Sequence, residues 1–186
     1  MSATILSISA IFAATCLGIF TLLQKQQRVI SNGCLAVCLL LMACIEGADR
    51  IALNSPEIWL SAKSSALIFE SFLAVTWLLF ALTFARKSPL RNLSSPSLAL
   101  LAGTLVLPMV ALMASQVDFF YSPDFVDEHV LFLGQSAYWF YFFLLFFTVV
   151  ALYRLERTLM ALSSIERSRV LFEILGAGTI LVAILV

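Results

Sequence analysis

The sequence predicts an all-α polytopic membrane bundle of six transmembrane helices, and three observations carry that prediction. Of 186 residues, 62% are hydrophobic and 12% charged, where soluble domains hold about 45–50% and about 25%. Mean hydropathy is +1.03. The apolar residues come in long runs without period-two alternation, so helices rather than barrel strands are expected. A water-soluble globule, a disordered tail and a nucleic-acid binder are excluded. Basic and acidic residues number 11 each, so net charge identifies no partner, and only the placement of charge is informative.

A spanning helix needs about 20 mostly apolar residues to cross about 30 Å of hydrocarbon. The first run, 3–23, carries no charge. No Lys or Arg precedes Lys25, and the run is too long for a signal-peptide core, so a retained helix is expected. The second run, 33–51, ends at Asn54-Ser55-Pro56, a turn signal, and the third occupies 60–84. Ser94-Ser95-Pro96 marks the start of the fourth, 98–117, where Pro108 removes the backbone bond to Thr104 and should kink the helix. Tyr121-Ser122-Pro123-Asp124 breaks an acidic loop whose Phe119, Phe120 and Tyr121 are expected at the headgroups. The fifth run is 130–152. Beyond it Leu155, Leu159 and Leu162 keep helical spacing, so Arg154–Arg169 either extends the fifth helix or lies along the surface. The sixth run, 170–186, has no polar flank after it, and a single membrane domain at the front of a longer chain is expected.

Orientation follows from the loops. Lys25 and Arg28 lie in the first, Arg86, Lys87 and Arg91 in the third, and Arg154, Arg157, Arg167 and Arg169 in the fifth. Nine of the 11 basic residues thus fall on one side. Lys and Arg resist translocation, so that side is the cytoplasm and the N-terminus is outside.

Five charges fall within or beside the second and third runs: Glu46, Asp49, Arg50, Lys63 and Glu70. A charge at mid-bilayer costs roughly 2.5–3.5 kcal/mol on insertion scales, so each should face protein or water. Glu46 and Arg50 are spaced for a pair on one helix face; Arg50–Glu70 and Asp49–Lys63 are feasible pairs between helices. The cluster reads either as a polar ligand pocket or as end residues that snorkel beside a paired Glu70. Cys34 and Cys38 lie one turn apart, with Cys16 and Cys44 elsewhere, and read as packing residues rather than zinc ligands. His129 is the only histidine, too few for a haem-bearing bundle. Six consecutive aromatics, Tyr138 to Phe143, go all round a helix and suit packing before a stacked quinone or lipid. No nucleotide loop, nucleophile elbow or zinc-protease motif occurs. No catalytic residue, metal or cofactor is implied.

Leu155-Glu156-Arg157-Thr158-Leu159, then Ser163-Ser164, Arg167, Phe172 and Leu175-Gly176-Ala177-Gly178, resemble a junction in the membrane sensor region of the PEP-CTERM/exosortase-associated histidine kinases. More broadly, the chain is similar to the sensor regions of seven-transmembrane histidine kinases, including an acidic residue followed by Trp, here Glu70 and Trp77. Ser168 and Leu171 depart from the Trp and Lys usual there. The resemblance implies a sensor module of a two-component system in the bacterial inner membrane. It would precede cytoplasmic GAF-like, phosphoacceptor and ATPase domains that these residues do not include. It also implies a homodimer, a response regulator reached only through those domains, and a signal-transmitting segment holding Glu156, Arg157, Thr158 and Arg167. Two other classes stay open: a small transporter or channel component using the charges of the second and third helices, and a membrane assembly subunit.

Overall fold

The computed structural model describes residues 2–23, 29–84, 94–113, 119–121 and 132–162. They form helices α1 (Ser2–Leu23), α2 (Val29–Asn54), α3 (Trp59–Thr83), α4 (Ser95–Thr104), α5 (Val106–Met113) and α6 (Gln135–Met160), with a two-stranded ribbon, β1 (Phe120–Tyr121) and β2 (Phe132–Leu133). Four helical stretches are long and apolar enough to cross a membrane: Ile30–Asn54, Trp59–Thr83, Ser95–Met113 and Gln135–Met160. The apolar Ser7–Leu23 stretch of α1 is shorter. The expected sixth run, 170–186, lies outside the described residues.

Several boundaries move. The second run, expected over 33–51, is helical from Val29 to Asn54, so the helix continues up to the Asn54-Ser55-Pro56 turn signal. At 1.5 Å per residue its 26 residues reach about 39 Å, enough to cross hydrocarbon at a tilt. The fifth, expected over 130–152, starts at Gln135, since Phe132 and Leu133 pair in the ribbon, and runs on to Met160. Of the two readings of Arg154–Arg169, continuation of the helix holds as far as Met160. The fourth is helical through Met113 with an interruption at Leu105, where Pro108 withholds its bond from Thr104. Both proline signals act as helix starts: Pro56 opens the one-turn 3-10 helix Pro56–Ile58, and Pro96 lies in the first turn of α4.

α3 is the hub. Of its apolar stretch 67% is buried, against 28% in α2 and 22% in α6, so the other helices are arranged around it. It packs against α2, α4, α5 and α6. The contacts Cys38–Thr76 and Asp49–Lys63 make α2 and α3 an antiparallel hairpin. Glu70 meets Tyr141, and Trp77 shares a cluster with Ala151 and Leu155, so α6 runs parallel to α3. On the other side of α2, Gly18 lets α1 approach: a Cβ there would stand 3.4 Å from the Ala36 carbonyl oxygen and from the Leu40 side chain.

Large apolar side chains outside these seams point away from the bundle. On α6, Trp139, Phe142, Phe146, Val149 and Tyr153 are all about half exposed or more. An apolar perimeter of this extent is the reverse of a soluble surface and is what a lipid-facing helix requires. Phe119 and Phe120, expected at headgroup depth, face protein rather than the perimeter. Both are buried, because the ribbon folds them onto Leu67, Leu107, Ala111 and Phe140. Gly134 N–H donates to the Phe119 carbonyl at 2.8 Å, and the Phe119 ring meets Phe140 edge-on at 5.6 Å. The start of α6 is thereby tied to the end of the bundle.

Candidate functional site

The polar residues of α2, α3 and α6 converge near the end where α2 turns into α3. Asp49 lies five residues before the end of α2 and Lys63 four residues after the start of α3, so both reach about the same depth, about 6–8 Å from the turn. Lys63 Nζ donates to Asp49 Oδ1 at 2.6 Å. Both side chains keep about a third of their surface exposed. Of the two pairs expected between helices, this one forms.

Arg50–Glu70 does not. Arg50 stands about 6 Å from the end of α2, whereas Glu70 stands about 16 Å into α3. That depth difference separates them, and Arg50 is a further 100° round the helix from Asp49. Glu46 and Arg50 share a stripe of α2 at the expected spacing without closing to an ion pair. Both are half-buried, and the stripe continues to Leu53, which is 80% exposed.

Glu70 is met by a residue that sequence reasoning did not assign to the site. The Tyr141 hydroxyl of α6 lies within hydrogen-bonding reach of its carboxyl, with Asp49 and Lys63 within electrostatic reach. Oε2 of Glu70 is buried and, among the described residues, has no hydrogen-bond partner. Among the described residues the partner of Glu70 is thus a hydroxyl rather than a cation. Tyr141 was hidden among six consecutive aromatics. Its neighbours Tyr138, Trp139, Phe142 and Phe143 are exposed and Phe140 is buried against Phe119. Only the docking of α6 on α3 singles Tyr141 out.

One turn-pair deeper, Trp77 lies seven residues from Glu70 on the same α3 face, with its indole N–H also buried and unpartnered among the described residues. It packs with Cys38, Phe80, Ala151 and Leu155. The Cys38 thiol donates to Thr76 Oγ1 at 3.4 Å, consistent with packing cysteines at the α2–α3 seam. Among the described residues no three His, Cys, Asp or Glu side chains come together to hold a metal ion. His129 lies outside them.

At the far end of α6, Leu155 is buried while Leu159 and Leu162 pack on the same cluster. This apolar stripe docks the last turns of α6 on α2 and α3. Glu156 and Arg157 on the opposite face are exposed, and Thr158 Oγ1 donates back to the Arg154 carbonyl at 2.9 Å. Arg167 lies outside the described residues.

Fold and site together define a helical membrane protein with a mixed-charge cluster reaching into its interior. No family model, curated protein or solved structure matches the chain.

Proposed function

We propose that this chain is the membrane sensor module of a two-component histidine kinase, set in the bacterial inner membrane as six spanning helices with its N-terminus outside. The observation that carries the reading is the course of α6. Tyr141 touches Glu70 in the bundle interior, and the same unbroken helix ends in the exposed Glu156 and Arg157. Sixteen residues separate Tyr141 from Arg157, about 24 Å of helix. A ligand or envelope state that alters the polar cluster has a rod through which to displace a charged segment on the other membrane face. Biasing two helix packings by about 1–3 kcal/mol is enough for such a signal.

The bias of basic residues supports the orientation, and the apolar composition of 170–186 supports counting a sixth span. As a kinase the protein would act as a homodimer and reach its response regulator through the kinase domains. The interruption at Leu105 is the one break among the described spanning helices. A transporter of inverted repeats would be expected to carry a matching break in its other half, so the sensor reading is preferred.

The test is the reading frame beyond codon 186. A phosphoacceptor-histidine segment followed by a nucleotide-binding ATPase domain is the expected outcome. A stop codon directly after Val186 overturns the kinase reading, and ion-flux assays on the reconstituted chain then address transport.

A further inference from the structure

Glu70 is the twelfth of the 25 residues of α3, so about 16 Å of helix separates it from one end and about 20 Å from the other. A carboxylate at that depth needs a countercharge or donors for its oxygens. The ionisable groups of the surrounding elements supply little. Lys63 is taken by Asp49 in their 2.6 Å contact. Tyr141 provides one hydroxyl from α6. Glu46 and Arg50 of α2 are half-buried and are not among the groups acting on Glu70, Glu57 is exposed in the turn, and α4 and α5 contain no ionisable side chain. With all three ionised, Asp49, Lys63 and Glu70 sum to one negative charge, and Oε2 of Glu70 is buried without a donor among the described residues.

We infer that Glu70 is a proton-exchange site inside the membrane, coupled to α6 through Tyr141. A single proton placed on Oε2 removes the charge and satisfies that oxygen. A proton is favoured over a metal ion: among the described residues no three His, Cys, Asp or Glu side chains come together to hold a metal, whereas a proton needs only the one oxygen. The proton comes from hydronium, one of whose O–H bonds breaks to leave water as the O–H bond on Oε2 forms. Tyr141 donates a charge-assisted bond to the carboxylate and a weaker, neutral bond to the acid. The strength of the α3–α6 contact therefore follows the state of Glu70. The inference names the stimulus for the sensor reading but requires only a membrane-buried Glu70.

Infrared difference spectroscopy of the full chain in lipid nanodiscs, recorded between high and low pH, tests it. A carboxylic-acid carbonyl band is expected to grow on acidification, to shift when glutamate is selectively labelled with carbon-13, and to vanish in Glu70→Gln. In Tyr141→Phe the band should move to higher frequency, because the carbonyl has lost its donor. Exchange of sodium for choline should leave it unchanged. The proposal is overturned by the absence of a pH-dependent acid band in the unmutated chain, by its survival in a folded Glu70→Gln, or by its insensitivity to glutamate labelling. Suppression by sodium would make the site a metal-cation site instead. Should Glu70→Gln not fold, the labelling and Tyr141→Phe results decide. None of these outcomes bears on the reading frame, so either proposal can fail alone.

Discussion

At Asp49 and Lys63, two helices bring opposite charges to one depth, and the 2.6 Å contact follows from that match. Polar contacts in membrane bundles average about 0.6 kcal/mol and reach about 1.7 kcal/mol, because the separated helices also find partners. A double-mutant cycle of Asp49→Asn and Lys63→Met, read by reversible unfolding in mixed micelles, should give a coupling of about 0.5–1.5 kcal/mol. The same cycle on Glu46→Gln and Arg50→Met should give about zero, since that pair is not closed; equal couplings would contradict the geometry. All five charges of the cluster were legible in the sequence, for a charge in an apolar run is conspicuous. Their pairing was legible for Asp49–Lys63 and misjudged for Arg50–Glu70. Spacing along one helix gives azimuth, whereas pairing between two helices depends on depth as well. Tyr141 was not legible at all, because aromatic residues suit lipid and protein equally.

Among the elements, α4, α5 and α6 meet at Gly103, where an added Cβ would stand 3.2 Å from Cζ of Phe147. Gly103→Ala should therefore fall short of the about 0.8–1.0 kcal/mol that Ala otherwise gains over Gly in a helix, because of overpacking. In combination with Phe147→Leu it should cost less than the sum of the two changes, as unfolding measurements on the four proteins would show. Additive costs would mean that the two side chains do not compete for space. Pro108→Ala restores an amide that can donate to Thr104, so hydrogen exchange should find the new amide protected and the Leu105 interruption tightened. An unprotected amide at 108 would place the cause of the interruption elsewhere. The proline signals at 56, 96 and 108 were legible because proline acts on its own backbone. The start of α6 was not, because strand pairing of Phe132 and Leu133 with residues a loop away overrides local apolarity.

For the molecule as a whole, Leu53 and Met160 are exposed and lie at opposite ends of the bundle. In a background lacking the native cysteines, Leu53→Cys should react with an impermeant thiol reagent in intact cells and Met160→Cys only after permeabilisation. The reverse pattern would invert the orientation and remove the sensor proposal with it. The sequence by itself determined that the chain is helical and built for lipid, since those properties are sums over composition and runs, and it located every charge that lies in an apolar segment. Tertiary structure alone decided that α3 is the hub, that Asp49 rather than Arg50 faces it, and that Tyr141 meets Glu70. Apolar faces in a membrane bundle look alike to lipid and to protein, so only the packing of one helix on another distinguishes them.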